Sequence, residues 1–456
     1  PLPSGSVLKR LERMGQRMRR LAKTMSSIER ERAPHEKFVS FRVKNFVNRE
    51  STTKKIFHVL RHHRCNTLLK HGSGCVVGKN KSNRADLNKT VVLVGEPGSG
   101  KTSVMCYVSR FATDRGITVV SHIVGSTTGS LNVKKSLVRI INEIQHRCDF
   151  TYVPHQSVKK LDFSSIKNIF SRVLDMASAT IGERNAAEDH EGDHLLVMID
   201  GIEQLGLAHA AHTLDWVPQQ TAPNVTLLLS CTLPLNEDQN KMQTAYSQIG
   251  EAFYRSLSRR TELKTVLIAP LTIDEADAIQ KIALREHAKK LNRTQSKLLL
   301  RKQDARKPLF IMIACEELRL QGEYGKDGTD IDRLIERFPH TLSDMFNLML
   351  ARIEKDMSQY MTDVFGEQTK SGKEVVQECL VLITCSRDGC GEQDLLEMAG
   401  INQAIFSRLY NGVWMHLRPR GTNGDEGKLT LAFFQKQLAE AVFTRYIHGQ
   451  PAQLFE

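Results

Sequence analysis

Apolar and polar residues follow two different periods between residues 91 and 270. Five short, β-branched runs with no acidic or basic residue before their last position read as buried parallel strands. They are VVLV (91–94), ITVVSHIVG (117–125), LLVMID (195–200), NVTLLLSCT (224–232) and TVLIAP (265–270). Segments with helical spacing lie between them, at 102–116, 133–148 and 156–183, and the last is followed by the polar loop ERNAAEDHEGD. This alternation predicts a parallel sheet covered by helices on both faces, over residues 91–272.

Strands nearly vanish after residue 273, and helical spacing fills the chain to about residue 400. We therefore expect an all-α helical domain over 273–370. Further helices, and a candidate β-hairpin formed by WMHLRPR and KLTLAFF around the turn GTNGDEG, predict a winged-helix domain over 371–448.

The chain begins with Pro1 rather than Met, which indicates a piece of a longer protein. Residues 449–456 are expected to start a further C-terminal region.

The N-terminal region, 1–34, has the pattern of a basic heptad helix. One helix is predicted over 4–32, ended by Pro34. Its apolar seam steps by three and four residues: Leu11, Met14, Met18, Leu21, Met25 and Ile28. A short coiled coil, a helix packed on the protein's own body, a basic helix for an acidic membrane or calmodulin-like partner, and a mobile tail all remain open. Residues 35–90 then form a segment that leads to the sheet, with a helix before residue 70 and a polar, flexible loop at 71–90.

The positive charge is concentrated in the same N-terminal region. Residues 1–90 hold 22 Lys and Arg against 6 Asp and Glu, a net charge of +16, so the other residues carry −3 of the chain's +13. This division disfavours a uniformly basic nucleic-acid enzyme. No stretch of about 18 apolar residues and no secretory signal is present.

Nine cysteines are scattered along the chain without a C-x-x-C pair, which favours a reducing, cytoplasmic location. Several of them, with histidines, crowd before the first strand: His58, His62, His63, Cys65, His71 and Cys75. Their spacing matches no standard zinc finger, so a solvated helix end is the alternative to a zinc site.

A glycine-rich loop of the form G-x-x-x-x-G-K-[ST] joins the first strand to the first helix, within VVLVGEPGSGKTS (91–103). A loop in this context wraps backbone N–H groups around phosphates, and the helix N-terminus adds a partial positive charge. Lys101 would bridge the β- and γ-phosphates of a nucleotide, and the Thr102 hydroxyl would bind Mg²⁺. The remaining candidates for nucleotide binding in the loop are Gly95, Gly98, Ser99, Gly100 and Ser103.

A second acidic position for Mg²⁺ is expected at the carboxyl end of LLVMID. Asp200 is the candidate ligand, since ligands bind at the carboxyl ends of strands in an open α/β sheet. Glu203 or Gln204 could orient the attacking water, although a glutamine cannot accept a proton at neutral pH. Ser230 or Thr232, at the end of the next strand, could sense the γ-phosphate through a hydroxyl group.

Several stretches together resemble a STAND-class P-loop NTPase of the NACHT-like branch, which includes nephrocystin-3, telomerase-associated protein 1 and NACHT proteins with WD40 or tetratricopeptide repeats. The resemblance covers roughly residues 35–448. It is carried by FVNRE (46–50), GEPGSGKTS (95–103), SHIVGSTTGSLNV (121–133), LLVMIDGIEQL (195–205), LDWVPQQTAPNVTLLLS (214–230), APLTIDEA (269–276), KPLF (307–310), CEELRLQGEY (315–324), FPHTLSDMFNLMLARIEKD (338–356), LVLITCSRDGCGEQDLLEM (380–398) and LAFFQKQLAEAVFTRYI (431–447).

The resemblance implies a switch that holds ADP when closed and opens on exchange for ATP, which then permits self-association. It implies that Arg49 lies near the nucleotide and that Pro308 contacts the adenine. Gln435 stands where the relatives often have a histidine that contacts the β-phosphate, which puts the closed-state contact in doubt. Protein partners are expected through C-terminal repeats beyond this chain, and the nucleotide is expected to be ATP or ADP with Mg²⁺.

Three functions follow from these observations. The leading one is an ATP/ADP-binding regulatory switch that controls assembly of a signalling or scaffold complex, with slow ATP hydrolysis. The second is a nucleotide-binding scaffold without hydrolysis. The third is a nucleic-acid-dependent P-loop ATPase, which the nearly neutral body and the few aromatic residues disfavour; salt-dependent binding of DNA or RNA by residues 91–456 would support it.

Overall fold

The computed structural model describes residues 27–59, 90–187, 194–232, 245–321, 329–365, 370–386, 389–421 and 429–448. The heptad positions from Leu11 to Met25 and the histidines and cysteines at 62–75 therefore lie outside the described residues. Among the helices that are described, none is both long enough and apolar enough to cross a membrane.

Two helices precede the sheet, α1 (Ser27–Val43) and α2 (Glu50–Val59). The prediction that Pro34 ends the N-terminal helix is wrong, because Pro34 lies inside α1. The next residue, His35, is fully buried. Its Nδ1 accepts a hydrogen bond from the Ile123 N–H (2.9 Å) and lies 2.8 Å from the Ser126 hydroxyl oxygen. Such packing outweighs the single helical hydrogen bond that a proline removes.

Five parallel strands form the sheet, in the order β2-β3-β4-β1-β5. They are β1 (Val91–Gly95), β2 (Thr118–Ile123), β3 (Leu195–Asp200), β4 (Val225–Thr232) and β5 (Lys264–Leu267). The predicted parallel sheet with flanking helices is confirmed, with strand ends a few residues shorter at β2 and β5. In this order β4 separates the strand that leads into the glycine-rich loop from the strand that ends at Asp200, so both carboxyl ends meet at one edge.

The side chains of β1 point alternately to the two faces of the sheet, and both sets are apolar, so helices must cover both faces. Val92 and Val94 pack into one apolar cluster with α4 (Val133–Cys148) and α6 (Phe163–Ala187). Val91 and Leu93 pack on the opposite side with α3 (Lys101–Thr113). The remaining helices of this region are α5 (His155–Val158) and α7 (Ala245–Ser258).

The helix predicted over 156–183 is split in the structure into α5 and α6. Asp162 starts the second one, since its carboxylate accepts hydrogen bonds from the backbone N–H groups of Ser164 (3.1 Å) and Ser165 (3.3 Å). The helix then continues to Ala187, so the predicted polar loop is wrong over 183–187.

Helices dominate from residue 273, as the helical spacing indicates. They are α8 (Ile273–Arg285), α9 (Arg293–Leu300), α10 (Pro308–Gln321), α11 (Thr329–Arg337), α12 (Leu342–Phe365), α13 (Gly372–Cys385), α14 (Glu392–Met398), α15 (Gln403–Val413) and α16 (Lys436–Tyr446). Reciprocal capping boxes begin three of them: Thr272 with Glu275, Asn292 with Gln295, and Ser371 with Glu374.

A small antiparallel sheet completes this C-terminal region, in the order β6-β8-β7. Its strands are β6 (Cys390–Gly391), β7 (Leu417–Gly421) and β8 (Leu429–Phe433), so the predicted hairpin pairs β7 with β8. One apolar cluster extends from Leu271 to Tyr446 and includes side chains from both α12 and α13. Residues on the two sides of position 370 thus share a single core.

Candidate functional site: a phosphate loop beside two buried acids

The loop between β1 and α3 has the backbone shape that its glycines permit. Gly98 (φ 75°) and Gly100 (φ 91°) both have left-handed backbone conformations, which side chains with a Cβ rarely adopt. Gly100 is also the N-cap residue of α3. The helix N-terminus therefore faces the loop, with its free N–H groups on the side where a phosphate would bind.

Lys101 folds back over this loop. Its ammonium donates hydrogen bonds to the carbonyl oxygens of Gly95 (2.9 Å) and Glu96 (3.0 Å). Burial lowers the pKa of Lys101, and the nearby carboxylates of Glu203 and Asp200 oppose that shift. Thr102 and Ser103 follow in the first turn of α3. The cation thus lies among loop carbonyls and acidic side chains, where phosphate oxygens could replace the carbonyls as acceptors.

Arg49 connects the phosphate loop to the segment that follows β5. It is only 3% exposed, and one terminal nitrogen donates to the Ser99 carbonyl at 2.6 Å while the other donates to the Ala269 carbonyl. Burial lowers the pKa of Arg49. The structure therefore brings Arg49 to the phosphate loop, through the backbone of Ser99 rather than through a free guanidinium.

The start of α10 covers the loop from the other direction. The Pro308 ring packs on Gly100, where an added methyl group would lie 3.3 Å from Cγ of the proline. The Leu309 N–H donates to the Gly98 carbonyl at 3.4 Å, and Lys307 forms a 3.1 Å ion pair with Glu96. Pro308 thus lies against the phosphate loop itself, and its contact with adenine stays a prediction.

Asp200 lies at the end of β3, across from the loop. It is 3% exposed, and its Oδ1 accepts a 2.6 Å hydrogen bond from the Ser230 hydroxyl, which in turn accepts from the Gly201 N–H. Burial raises the pKa of Asp200, and the nearby hydroxyl groups of Ser230 and Thr102 oppose this shift. The predicted metal ligands Thr102 and Asp200 therefore lie close together.

Glu203 lies in the short 3-10 turn Ile202–Gln204 and is 5% exposed. Its Oε1 accepts a 2.7 Å hydrogen bond from the Thr232 hydroxyl, whereas Oε2 is buried without a hydrogen-bond partner. The two hydroxyl groups considered as phosphate sensors, on Ser230 and Thr232, thus each orient one acid.

Gln204 has a different environment. Its side chain folds against the backbone of Gly201, where an added Cβ would lie 2.7 Å from its Nε2. Of the two candidates for orienting water, Glu203 is the one with a buried acceptor oxygen still unpartnered.

The C-terminal region contributes a residue that the sequence reasoning missed. Gln435 caps α16 and places its amide oxygen 3.4 Å from Nδ1 of the buried His416. The next residue, Lys436, reaches the acidic side of the site and donates to the Glu203 carbonyl at 3.2 Å. The sequence offered only the presence of a lysine next to Gln435 in LAFFQKQ as a sign of this contact. No local pattern indicates which of the two side chains turns toward the sheet.

These residues fit a nucleotide with Mg²⁺. The glycine loop provides N–H groups and a buried ammonium for phosphates, and Thr102 with Asp200 provides the oxygen ligands that Mg²⁺ prefers. The unpartnered Oε2 of Glu203 offers an acceptor to a water molecule. Elsewhere in the described ranges, no group of three or more His, Cys, Asp or Glu side chains is arranged for a metal ion.

The fold and the site together have the architecture of a P-loop NTPase fold. Its marks are the strand, glycine loop and helix around Lys101, the parallel sheet, and the acid at the end of β3.

No known family model matches the chain. A TPR repeat-containing protein of Dictyostelium discoideum is 22% identical over 394 residues, which cover 79% of this chain and 21% of the relative. The chain therefore spans about a fifth of the length of the curated relative it matches.

Among solved structures, the chain is similar to a Walker-type ATPase of Pyrococcus abyssi, with a TM-score of 0.38, 12% identity, and coverage of 88% of this chain and 96% of that chain. It is also similar to the ORC1 protein of Aeropyrum pernix in complex with DNA, with a TM-score of 0.33, 12% identity, and coverage of 88% and 94%. The RuvB branch migration motor of Thermotoga maritima gives a TM-score of 0.32, 14% identity, and coverage of 86% and 95%.

Proposed function

We propose that the chain binds ADP or ATP with Mg²⁺ at the phosphate loop and acts as a regulatory switch of the STAND type that hydrolyses ATP slowly. The observation that carries the proposal is the pair of buried acids beside the loop. Asp200 meets Thr102, and Glu203 keeps one carboxylate oxygen unpartnered. A glycine loop alone would support binding, whereas an oriented acceptor for water supports hydrolysis.

Each residue has a role in this proposal. The loop N–H groups and Lys101 hold the phosphates, and Thr102 with Asp200 hold Mg²⁺, which when bound neutralises phosphate charge. Glu203 accepts the proton of the attacking water through Oε2, while Thr232 fixes Oε1. These roles favour a slow ATPase over the scaffold without hydrolysis.

Slow turnover follows from the cover over the loop. Pro308 packs on Gly100, Leu309 bonds to Gly98, and Lys307 pairs with Glu96. A nucleotide held beneath these contacts leaves only when the start of α10 moves, so slow product release is expected to add to a slow chemical step.

The moving parts in the proposal are the all-α helical domain over 273–370 and the winged-helix domain over 371–448. Its support is that both reach the site, the first through Pro308 and the second through Lys436. The Dictyostelium relative is named for its TPR repeats, which agrees with protein partners as the output of the switch. Self-association on ATP binding is the second output that we propose. No disulfide joins any two of the seven cysteines among the described residues, which fits a reducing, cytoplasmic setting.

The test is to identify the nucleotide released when the purified protein is denatured, and then to measure turnover of Mg²⁺-ATP. We expect stoichiometric ADP and slow turnover. Lys101→Ala should weaken nucleotide binding at least about a hundredfold, because a buried charge-assisted contact to phosphate is lost. The matched control is Lys135→Ala, at an exposed position on α4.

Two results would contradict the proposal in different ways. Bound ATP without any turnover would support the inert scaffold. A wild-type protein that carries no nucleotide and has no measurable ATP affinity would exclude both functions.

A further inference from the structure

Lys436 links two parts of the chain that are far apart in sequence. Its ammonium donates to the main-chain carbonyl of Glu203 at 3.2 Å, across 233 positions. The acceptor belongs to the short turn that carries the proposed catalytic acid. Whatever fixes Lys436 therefore also acts on the position of that turn.

The residues before Lys436 hold it in place. Phe434 stacks on Phe38 of α1 with ring centroids 5.7 Å apart, and the Arg42 guanidinium lies 4.0 Å from the Phe434 ring centroid. The Phe434 N–H donates to the His416 carbonyl at 2.8 Å. Lys436 then opens α16, so its backbone position is fixed from both sides.

Charge favours the same arrangement. Burial lowers the pKa of Lys436, while the carboxylates of Glu203 and Glu440 raise it, so the ammonium is attracted to the acid that it approaches. Lys436 also lowers the pKa of Lys101, which marks the two cations as neighbours around the same acids. An ammonium between a main-chain carbonyl and a carboxylate restrains both.

Other contacts hold the rest of the turn: Ile202 and Leu205 pack into the apolar core, and the Gly201 N–H donates to the Ser230 hydroxyl at 2.8 Å. The turn's own hydrogen bonds run from the Gln204 N–H to the Gly201 carbonyl (2.8 Å) and from the Leu205 N–H to the Ile202 carbonyl (3.1 Å). Thr232 holds only one oxygen of the Glu203 carboxylate. A base that must present Oε2 to water needs a fixed backbone, because small displacements of a catalytic group cost a large part of its effect.

We propose that Lys436 is a positioning residue for Glu203, so that ATP hydrolysis depends on docking of the segment Phe434–Lys436 between α1 and the acidic turn. This rests on the proposed function for the assignment of Glu203 as the base. The link between Lys436 and the turn rests on the structure alone. Hydrolysis would then stop when the C-terminal region leaves the site, even with nucleotide still bound.

The experiment compares Lys436→Met, which keeps the length and loses the charge, with Lys436→Arg, which keeps both. Lys373→Met, at an exposed position on α13, is the control. The first readout is amide hydrogen exchange at Gln204, Leu205 and Gly206 in protein stripped of nucleotide. The second is kcat and KM for Mg²⁺-ATP.

For Lys436→Met we expect exchange at these amides to rise about tenfold or more, with exchange in α12 unchanged, because one charge-assisted hydrogen bond to the turn is lost. We expect kcat to fall about tenfold with KM within about threefold, since the loss affects the transition state and not binding. Lys436→Arg should restore most of both values.

Unchanged exchange at the turn in Lys436→Met would overturn the proposal. A rise in KM with unchanged kcat would also overturn it, by assigning Lys436 to phosphate binding. Because the exchange measurement needs no nucleotide, it decides the role of Lys436 even if the wild-type protein proves not to bind ATP. In that case the proposed function fails, and the positioning contact is judged separately.

Discussion

Lys101 lies one residue from the glycine that starts its helix, and its hydrogen bonds go to Gly95 and Glu96 of the same loop. Glu203, on the opposite side of the site, is held by Thr232 from another strand and by Lys436 from the C-terminal region. The lysine of the phosphate side is thus held by neighbours in sequence, with Arg49 and Pro308 supporting its loop from elsewhere in the chain, whereas the acid is held by distant segments. The contacts of the lysine should survive rearrangements of the chain, whereas those of the acid should respond to them.

Glu203→Gln is expected to give the largest difference between the acidic side and the phosphate side of the site, as a loss of kcat without a loss of nucleotide affinity. The amide keeps the shape and can still accept from Thr232, but it cannot take a proton, so kcat should fall by about a hundredfold or more. Nucleotide affinity should remain within a few-fold of wild type. Steady-state ATPase assays with calorimetric ADP binding measure both.

Gln204→Ala gives the matched comparison, and we expect it to lower kcat by less than tenfold. A greater loss of kcat from Gln204→Ala than from Glu203→Gln would transfer the water-orienting role to Gln204.

Low pH should destabilise the fold through His416, whose pKa burial lowers to about 4. The unfolded chain takes up this proton near pH 6.5 and the folded protein only near 4. The stability from a neutral His416 is thus complete above about pH 6.5 and is lost as the pH falls toward 4. The loss is on the order of 3 kcal/mol at most.

Urea unfolding at several pH values between 7 and 4 should show this dependence, and His416→Gln should have a shallower slope. Carboxylates titrate in the same window, so the difference between the two proteins is the quantity to compare. Parallel slopes would show that His416 does not titrate as its burial implies.

A smaller effect is expected on the phosphate side from Arg49→Lys. The guanidinium bonds to the carbonyls of Ser99 and Ala269 with two separate nitrogens, a geometry that a lysine cannot reproduce. We expect ADP affinity to fall about five- to tenfold and kcat to stay within about twofold, because the loop loosens but the acids do not move. Calorimetric titration of ADP measures the first value.

Arg110→Lys, which lies at an exposed position of α3, is the control for this substitution. If Arg49→Lys lowered kcat as much as affinity, the proposed independence of the two sides would be wrong.

The features that could be predicted from the sequence are those formed by neighbouring residues, and the features that could not be predicted depend on distant segments. The strand, glycine loop and helix are encoded by adjacent residues, and the five strands and the edge at which Asp200 lies follow from short apolar runs. The contact between Lys436 and Glu203 depends on how α16 docks, which no local pattern specifies. Pro34 was misjudged for the same reason: the burial of His35 against β2 decides that α1 continues.

The apolar cluster from Leu271 to Tyr446 limits how such a protein can open. Parting α12 from α13 would expose many large side chains at about 1.5–3 kcal/mol each, whereas coupling between ligand sites typically amounts to about 1–3 kcal/mol in total. The whole C-terminal region should therefore turn as one rigid body. Its hinge would lie at residues 268–271, where Ala269 and Pro270 are exposed. The Arg306 side chain donates to the Leu271 carbonyl at 2.8 Å and so attaches the end of this segment to the C-terminal region.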